Sequence, residues 1–414
     1  MLAKYLELRT LEIEDSFLNE VESKDDWNRL KETYREQLGE MLGISPERPR
    51  TSLNTKITGK LEGDGFTVEK LHYQSSPGLY VSGNLYVPSG RKGEEKFPAI
   101  LYLCGHGGVK KDGVSFGNKV HYHHHGAWFA RNGYVCLTID TIQLGEIEGI
   151  HHGTYSKNMW WWVSRGFTPA GVEAWNGMRG IDYLQTRPEV DPAKIGVTGR
   201  SGGGAYTWWI AALDERVKAA VPVAGITSMR NHVIDGCVES HCDCMYQVNT
   251  KSWDFAMISS LVAPRALLIS NTDKDRIFPL EGVLDVHTKT RKLYRLLGAG
   301  GKLGLQITEG PHKDTQDLRV HAFSWFNRFL KDQNPSSLIE EPAIKYFEPE
   351  QLKVFETIPA DEKTSSIHES FVPAAPVPPI PKDKKSWGRY RDRIRSELDH
   401  KVFSAWPKKK TKAE

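Results

Sequence analysis

Three residues with the chemistry of a nucleophilic site follow one another along the chain: Ser201, Asp275 and His312. A serine hydroxyl is a poor nucleophile at neutral pH, so it requires an imidazole to accept its proton. The imidazole in turn requires a buried carboxylate, which fixes its tautomer and orientation. The three residue types predict acyl transfer, with Ser201 as the nucleophile, His312 as the base and a carboxylate behind it.

The residues around Ser201 predict a sharp turn between a strand and a helix. Ile195–Thr198 is typical of a short buried strand, whereas Trp209 and Leu213 fall at helical spacing. The segment Gly199–Gly203, GRSGG, fits the nucleophile elbow G-x-S-x-G, in which the glycines let strand and helix approach closely. The alternative is a glycine-rich turn with an incidental serine, which the strand and helix on either side disfavour.

A second glycine-rich turn offers donors for the oxyanion that such chemistry creates. The stretch LYLCGHGG ends an apolar run in His106, Gly107 and Gly108. The backbone N–H groups of this turn, together with the N–H of Gly202, predict an oxyanion hole. Four features fall at four predicted strand ends: this turn, Ser201, the loop with the aspartate and the loop with the histidine. Their combination is a more specific indication of a catalytic site than any one of these motifs alone.

From Phe97 onward, short apolar strands alternate with helices. The predicted strands are AILYLCG, YVCLTID, KIGVTG, AAVPVAG, ALLISN and LGLQITEG, and the predicted helices lie around Val172–Leu184, Gly204–Leu213, Leu284–Leu297 and Leu318–Leu330. Two earlier runs, Phe66–Tyr73 and Leu79–Val87, predict an antiparallel hairpin at a sheet edge. The alternation predicts an α/β protein whose mostly parallel central sheet has helices on both faces and functional residues at the carboxyl ends of its strands.

These motifs resemble bacterial α/β-hydrolases that are similar to acetyl xylan esterases. The resemblance rests on GHGG, TIDTIQLGE, RGFTPAGVEAWNGMRGIDYL, EVDPAKIGVTGRSGGGAYTWW, LLISNTDKDRIFP and EGPHKD, and it runs from about residue 66 to residue 331. It implies the α/β-hydrolase fold and a serine esterase that acts on acylated sugars without a metal or an organic cofactor. It assigns the triad to Ser201, Asp275 and His312 and the oxyanion hole to the Gly107–Gly108 turn.

Two aspartates compete for the triad position in the loop NTDKDRIFP. In hydrolases of this type, the acid stands just before an apolar-proline turn that holds the carboxylate toward the histidine. Asp275 directly precedes RIFP, which predicts that it is the acid. Asp273 is predicted to cap the loop.

Several residues near the elbow are candidate substrate contacts: Arg200, His106, Trp160, Trp161 and Trp162. Tryptophan faces suit sugar rings because they are broad, flat and rigid. A guanidinium can bind a uronate carboxylate, but a salt bridge inside the sheet edge explains Arg200 equally well. The related glucuronoyl esterases place an arginine directly after the nucleophile, whereas here Gly202 follows and Arg200 precedes. A glucuronoyl-type substrate stays open as an alternative to an acetylated carbohydrate.

Two other functions are weighed against an esterase. A peptidase of the prolyl-oligopeptidase type shares the catalytic fold, but such enzymes usually carry a propeller domain, for which the N-terminal segment is far too short. A noncatalytic interaction protein is disfavoured by the ordered serine, aspartate and histidine. We expect a small-molecule or polysaccharide ester as substrate and no nucleic-acid or membrane partner, and the sequence leaves the oligomeric state open.

Two clusters invite a metal-site interpretation that the sequence does not favour. In HYHHHG, His123, His124 and His125 are consecutive and cannot all point toward one ion. In CVESHCDC, Cys237–Cys244, the spacing C-x4-C-x-C matches no common zinc motif. Buried thiols or a local disulfide such as Cys237–Cys242 are the alternatives. We therefore expect no metal site and no cofactor.

The chain has 414 residues and a formal net charge of +3, which is too small to imply a nucleic-acid partner. In Lys382–Glu414, 12 Lys and Arg residues outnumber 5 Asp and Glu residues, so the basic character belongs to the tail. We expect an N-terminal helical segment (1–60), a catalytic domain (61–335), an extended segment with a Pro-rich linker (336–381) and a basic tail (382–414). No stretch is long and apolar enough to span a bilayer, which predicts a soluble protein, either cytoplasmic or exported with its leader removed.

Overall fold

The computed structural model describes residues 1–45, 48–237, 241–333 and 342–403. The strands are β1 (Lys56–Gly63), β2 (Phe66–Ser76), β3 (Leu79–Pro88), β4 (Phe97–Leu103), β5 (Lys110–Lys111), β6 (Val114–Ser115), β7 (Val135–Ile139), β8 (Val190–Arg200), β9 (Val217–Val223), β10 (Ala266–Thr272) and β11 (Leu303–Thr308). The helices are α1 (Leu2–Asp15), α2 (Lys24–Met41), α3 (His123–Arg131), α4 (Gly153–Lys157), α5 (Trp161–Ser164), α6 (Pro169–Thr186), α7 (Gly202–Leu213), α8 (Met229–Val233), α9 (Phe255–Ser260), α10 (Leu280–Leu296), α11 (Gln316–Leu330), α12 (Pro349–Leu352), α13 (Ile367–Ser370) and α14 (Lys384–Lys401).

The centre of the fold is a nine-stranded sheet in the order β1-β2-β3-β7-β4-β8-β9-β10-β11. The strands β7, β4, β8, β9, β10 and β11 run parallel, which confirms the predicted mostly parallel sheet. The predicted hairpin is β2–β3, and β1 extends it as a further antiparallel edge strand. Strand β1 has no apolar pattern that would predict it, because Lys56–Gly63 mixes charged residues with glycines and is largely exposed.

Helices cover both faces of the sheet, as predicted. On one face, α6 and α7 bury side chains that include Trp175 and Ile210. On the other face, α3 and α11 contribute Trp128 and Phe323, whose rings stack with their centroids 3.5 Å apart. Strands that are buried from both sides are apolar at nearly every position, which explains why they appear in the sequence as continuous apolar runs.

The C-terminal segment around Val354 packs against the loop that follows β7. The buried carboxylate of Glu146 accepts backbone hydrogen bonds from Val354 at 2.7 Å and Phe355 at 2.8 Å. Within the predicted basic tail, Lys384–Lys401 forms the helix α14, none of whose side chains is buried. Residues 334–341, where the predicted catalytic domain passes into the extended segment, and residues 404–414 of the predicted tail lie outside the described residues. Within the described ranges, no helix has both the length and the apolar character needed to cross a membrane.

Candidate active site

Ser201 lies at the predicted tight turn between β8 and α7. Its backbone has φ 59° and ψ −117°, a conformation that residues with side chains rarely adopt, and its N–H donates to the Val223 carbonyl at 2.9 Å. A Cβ on Gly199 would lie 2.3 Å from the carbonyl oxygen of Leu103, and one on Gly203 would lie 2.0 Å from the same oxygen. Strand β4 therefore passes too close to the turn for either glycine to be replaced, which is the packing that a nucleophile elbow requires.

Asp275 and His312 form a direct contact on neighbouring loops. His312 Nδ1 lies 2.6 Å from Asp275 Oδ2, and the Asp275 side chain is 1% exposed. The other oxygen, Oδ1, accepts the backbone N–H groups of Ile277 at 2.9 Å and Phe278 at 3.0 Å. Asp273, in contrast, is exposed and accepts the N–H of Gly310 at 2.8 Å. The structure thus brings Asp275, and not Asp273, to the histidine.

The elbow and the Asp275–His312 pair lie at the same end of the sheet. Ser201, Asp275 and His312 follow β8, β10 and β11, respectively. Because these strands run parallel, their carboxyl ends lie at the same end of the sheet. His106, in the turn after β4, links the two halves, since a Cβ on Gly202 would lie 3.2 Å from its ring. His106 is also close enough to His312 to be affected by the charge of that ring. The topology therefore gathers the predicted nucleophile, base and acid at one end of the sheet.

The predicted oxyanion turn packs directly against the elbow. A Cβ on Gly105 would lie 2.2 Å from the carbonyl oxygen of Arg200, so no side chain fits between the two turns. Gly202 is the first residue of α7, where backbone N–H groups lack intrahelical partners. Gly107 and Gly108 follow in the adjacent loop. The assignment of Gly202, Gly107 and Gly108 to an oxyanion hole stays a prediction.

Two histidines that the sequence did not connect with the site, His151 and His241, lie near His106. His106 Nε2 lies 3.2 Å from His151 Nε2 and 3.2 Å from Cys242 Sγ. Burial, reinforced by neighbouring histidines, lowers the pKa of His106, His151 and His241 to about 4, so these rings are neutral at pH 7. His151 and His241 lie in the loops after β7 and β9, and a search for histidines beyond predicted strand ends would have found them.

The disulfide in the cysteine cluster joins a different pair from the Cys237–Cys242 pair suggested by the sequence. Cys242 and Cys244 form a disulfide, whereas Cys237 is a free thiol whose sulfur lies 3.8 Å from His232 Nδ1. The suggested pair Cys237–Cys242 is therefore wrong. The physical reason is the 3₁₀ turn Asp243–Met245, which brings the Cα atoms of the two bonded cysteines to 5.4 Å, within the range of disulfides.

Two of the three consecutive histidines share a carboxylate. His124 Nε2 and His125 Nε2 lie 3.2 Å and 3.0 Å from Asp314 Oδ2, and Arg319 Nη2 lies 3.0 Å from the same oxygen. The histidine and arginine partners hold the pKa of the Asp314 carboxyl well below its usual range against the opposing effect of burial. Because Asp314 stands two residues after His312, this network anchors the loop that carries the predicted base.

Arg200, the residue before the predicted nucleophile, lies between the elbow and this network. It lines a small internal cavity together with His125, Asp314 and Arg319. Burial raises the pKa of Tyr122, and the nearby positive charge of Arg200 opposes that rise. Arg200 therefore neighbours polar groups of the interior as well as the elbow.

The three consecutive tryptophans have different environments. Trp160 and Trp161 are 64% and 38% exposed, whereas Trp162 is 2% exposed. Trp162 packs near Phe167 and His368 and belongs to the core. Trp160 and Trp161 are the two that present faces to solvent, on and next to α5.

A buried ion cluster supports the loop after β7. Lys119 Nζ lies 2.8 Å from Asp140 Oδ2 and 2.5 Å from Glu146 Oε1, and all three side chains are at most 3% exposed. Glu146 also holds the returning C-terminal segment, as described above. These buried contacts hold the loop that leads to His151.

Comparisons with known proteins agree with this architecture. Residues 78–262 match the X-Pro dipeptidyl-peptidase (S15 family). The protein YtaP of Bacillus subtilis (strain 168) is 26% identical over 306 residues, which cover 72% of this chain and 98% of YtaP. The solved structure of the methylesterase BT1017 aligns with a TM-score of 0.65 at 20% identity, over 93% of this chain and 81% of that chain. A glucuronoyl esterase from Solibacter usitatus aligns with a TM-score of 0.56 at 18% identity, over 74% of this chain and 94% of that chain. The sheet order, the strand-turn-helix around Ser201 and these structural likenesses show that this chain has the α/β-hydrolase fold.

Proposed function

We propose that this protein is a serine carboxylic ester hydrolase that acts on ester-bearing carbohydrates. Ser201 is the nucleophile, His312 the general base and Asp275 the residue that orients the imidazole. The observation that carries the proposal is the 2.6 Å contact between His312 Nδ1 and Asp275 Oδ2. This pair lies at the same end of the sheet as a serine held in the elbow conformation. The three groups have the roles and the chain order of an α/β-hydrolase triad.

The contact between Asp275 and His312 determines the direction of proton transfer. The Asp275 carboxylate can only accept, so the proton of neutral His312 resides on Nδ1, and Nε2 keeps a lone pair for the Ser201 hydroxyl. As Ser201 attacks the ester carbon, His312 takes its proton and then delivers it to the departing alcohol. The N–H groups of Gly202 and of the Gly107–Gly108 turn receive the negative oxygen. Water activated by His312 then hydrolyses the acyl-enzyme.

The preferred acyl group in this proposal is acetyl. The motifs that resemble acetyl xylan esterases support it, and so does the crowding beside the elbow. The His106 ring lies next to Gly202 of the elbow, and its Nε2 lies 3.2 Å from both His151 Nε2 and the sulfur of Cys242 in the disulfide. A short acyl group fits such a space, whereas a long chain does not. The exposed Trp160 and Trp161 offer flat faces to a sugar.

A second candidate substrate is the methyl ester of a sugar acid, of the glucuronoyl type. The position of Arg200 beside the elbow favours it, because a guanidinium suits an acidic sugar. The structural likeness to a methylesterase and to a glucuronoyl esterase points in the same direction. In this case the sugar supplies the acyl part and methanol leaves. The chemistry at Ser201 and His312 is the same in both cases.

A panel of substrates tests these alternatives in one experiment. The wild type and Ser201→Ala are each assayed for hydrolysis of the same substrates. These are acetyl, butyryl and octanoyl nitrophenyl esters, acetylated xylan, a methyl glucuronate ester and an X-Pro anilide. We expect hydrolysis of acetyl esters by wild type alone, together with labelling of Ser201 by a fluorophosphonate. Preferential cleavage of the glucuronate ester would favour the second candidate, and cleavage of the anilide would indicate a peptidase. A folded chain that neither reacts with the probe nor cleaves any ester would refute the proposal.

A further inference from the structure

Ligand atoms from three separate segments converge beside the elbow. His106 comes from the turn after β4, His151 from the loop before α4, and Cys242 and Cys244 from the 3₁₀ turn after β9. His106 Nε2 lies 3.2 Å from His151 Nε2 and 3.2 Å from Cys242 Sγ. The ligand atoms of His106, Cys242 and Cys244 all lie within 4.8 Å of one another, and both cysteines are buried. The grouping joins residues up to 138 positions apart and is not visible in the cysteine spacing.

Hydrogen bonding alone does not account for this arrangement. A ring nitrogen carries either one proton or one lone pair, so His106 Nε2 can form one well-directed hydrogen bond and not two. The sulfur atoms of a disulfide carry no hydrogen and are weak acceptors. Two imidazole nitrogens and two cysteine sulfurs, in contrast, are the common ligand set of a tetrahedral Zn²⁺ site once the cysteines are thiolates.

Two of the observed distances, both of them to His106 Nε2, suit such a site, and His151 joins the group of His106, Cys242 and Cys244 through His106. With Zn–N distances of about 2.0–2.1 Å, two nitrogens of a tetrahedral site stand about 3.3 Å apart, and a nitrogen and a sulfur stand roughly 3.6 Å apart. The two contacts of His106 Nε2, each 3.2 Å, are close to these values. The turn and the loop already meet through a hydrogen bond from the Thr154 N–H to Asp243 Oδ2 at 3.3 Å, so the backbone is in place before an ion arrives.

We propose that, when the Cys242–Cys244 disulfide is reduced, His106, Cys242, Cys244 and His151 bind one divalent cation of borderline softness, for which Zn²⁺ is the probe. A dithiol reductant supplies two electrons and two protons, opens the disulfide to two thiols and is itself oxidised to a disulfide. When the cation binds, the two thiol protons pass to solvent and two metal–thiolate bonds form. The ion ties the loop before α4 to the turn that borders the elbow. This site lies beyond the proposed ester hydrolysis, which does not require it.

A second group of potential ligands provides a control. His124, His125 and Asp314 also lie close together. There, Arg319 already lies 3.0 Å from the shared carboxylate oxygen, so a bound cation would face a guanidinium. We expect His124→Gln to leave cation binding unchanged. Cys237→Ser is a further control, since the free thiol of Cys237 faces His232 instead of the cluster.

The test measures zinc bound to the full-length chain after desalting, in competition with a chromophoric chelator. Reduced wild type should bind one zinc per chain, and so should reduced Ser201→Ala, which separates this proposal from the proposed function. Reduced Cys242→Ser/Cys244→Ser should bind none, and His151→Ala should bind roughly tenfold or more weakly. X-ray absorption of the reduced complex should show two sulfur and two nitrogen neighbours.

A comparison that needs no mutation protects the test against misfolded variants. Oxidised wild type, with the disulfide closed, should bind no zinc and should regain binding after reduction, while its circular dichroism stays the same. Zinc binding that is equal in the oxidised and reduced chains would overturn the proposal. Failure of the reduced wild type to bind zinc, or binding that depends on Cys237 or His124 instead, would overturn it as well.

Discussion

Asp275 divides its two carboxylate oxygens between His312 and the backbone of its own loop. Oδ2 lies 2.6 Å from His312 Nδ1, while Oδ1 accepts two backbone N–H groups at 2.9 Å and 3.0 Å. The backbone bonds fix the carboxylate, so the histidine is oriented by a rigid group. Asp314, on the other side of His312, is held by His124, His125 and Arg319. Asp275 therefore orients the predicted base itself, and the Asp314 contacts anchor its loop two residues later.

Replacing either reacting member of the proposed triad should abolish esterase activity. We expect Ser201→Ala and His312→Ala each to lower kcat/KM by about a thousandfold or more, because the two residues act as one proton-transfer unit. Ester hydrolysis is measured beside circular dichroism and thermal unfolding, which should stay close to wild type. A folded variant that keeps more than a few per cent of the activity would contradict the triad.

The two neighbouring aspartates form a matched pair of variants. Asp275→Asn should lower kcat by about a thousandfold or more, since an amide can donate to His312 and so stabilise the wrong tautomer. Asp273→Asn should retain most of the activity, because Asp273 is exposed and its side chain accepts a hydrogen bond from the backbone of Gly310 instead of contacting His312. The opposite ranking of the two variants in kcat would reassign the acid.

The parts of this site that sequence predicted share a local signature. Ser201 stands in a five-residue pattern between a strand and a helix. Asp275 and His312 follow apolar runs that change abruptly to polar residues, so the ends of these strands can be predicted from the sequence. The contacts of His151 and Cys242 with His106 were not predictable, because they depend on how three loops from different strand ends fold over one another. The wrong cysteine pair has the same origin, since spacing does not reveal which sulfur a turn directs inward.

The buried ion cluster around Lys119 should be important for stability. Lys119→Met leaves Asp140 and Glu146 as buried carboxylates without their cation, which should cost about 3–5 kcal/mol in the free energy of unfolding. Chemical denaturation measures this change. Lys4→Met is the control, because Lys4 forms an exposed pair with Glu7 and its loss should change stability by less than about 1 kcal/mol. Similar stability of the two variants would show that the buried cluster tolerates the loss of its lysine.

Acidification should destabilise the fold through its buried histidines. Burial lowers the pKa of His232 from 6.5 to about 3, so the folded state keeps this ring neutral while the unfolded chain binds a proton below pH 6.5. The unfolded state is therefore favoured progressively as pH falls from about 6.5 toward 3, and this one group should cost on the order of 3 kcal/mol at pH 4.5. His232→Phe keeps a ring beside Phe255 and should flatten the pH dependence of the unfolding free energy. If the unfolding free energy of His232→Phe depended on pH as in the wild type, His232 would bind its proton as readily in the folded as in the unfolded protein, which would contradict this prediction.

The length of the acyl group should control the rate, because the pocket and not the triad sets selectivity. His106, His151 and the Cys242–Cys244 disulfide crowd the elbow, so acetyl esters should exceed butyryl and longer esters in kcat/KM by about tenfold or more, since each misplaced methylene is worth roughly 1–3 kcal/mol. Nitrophenyl esters of increasing chain length provide the measurement. His151→Ala removes one of these crowding groups and should narrow the difference between butyryl and acetyl esters, whereas Trp162→Phe, a change inside the core, should leave the ratio as it is. Octanoyl esters hydrolysed as fast as acetyl esters would identify a general esterase and would refute the preference for acetylated carbohydrate.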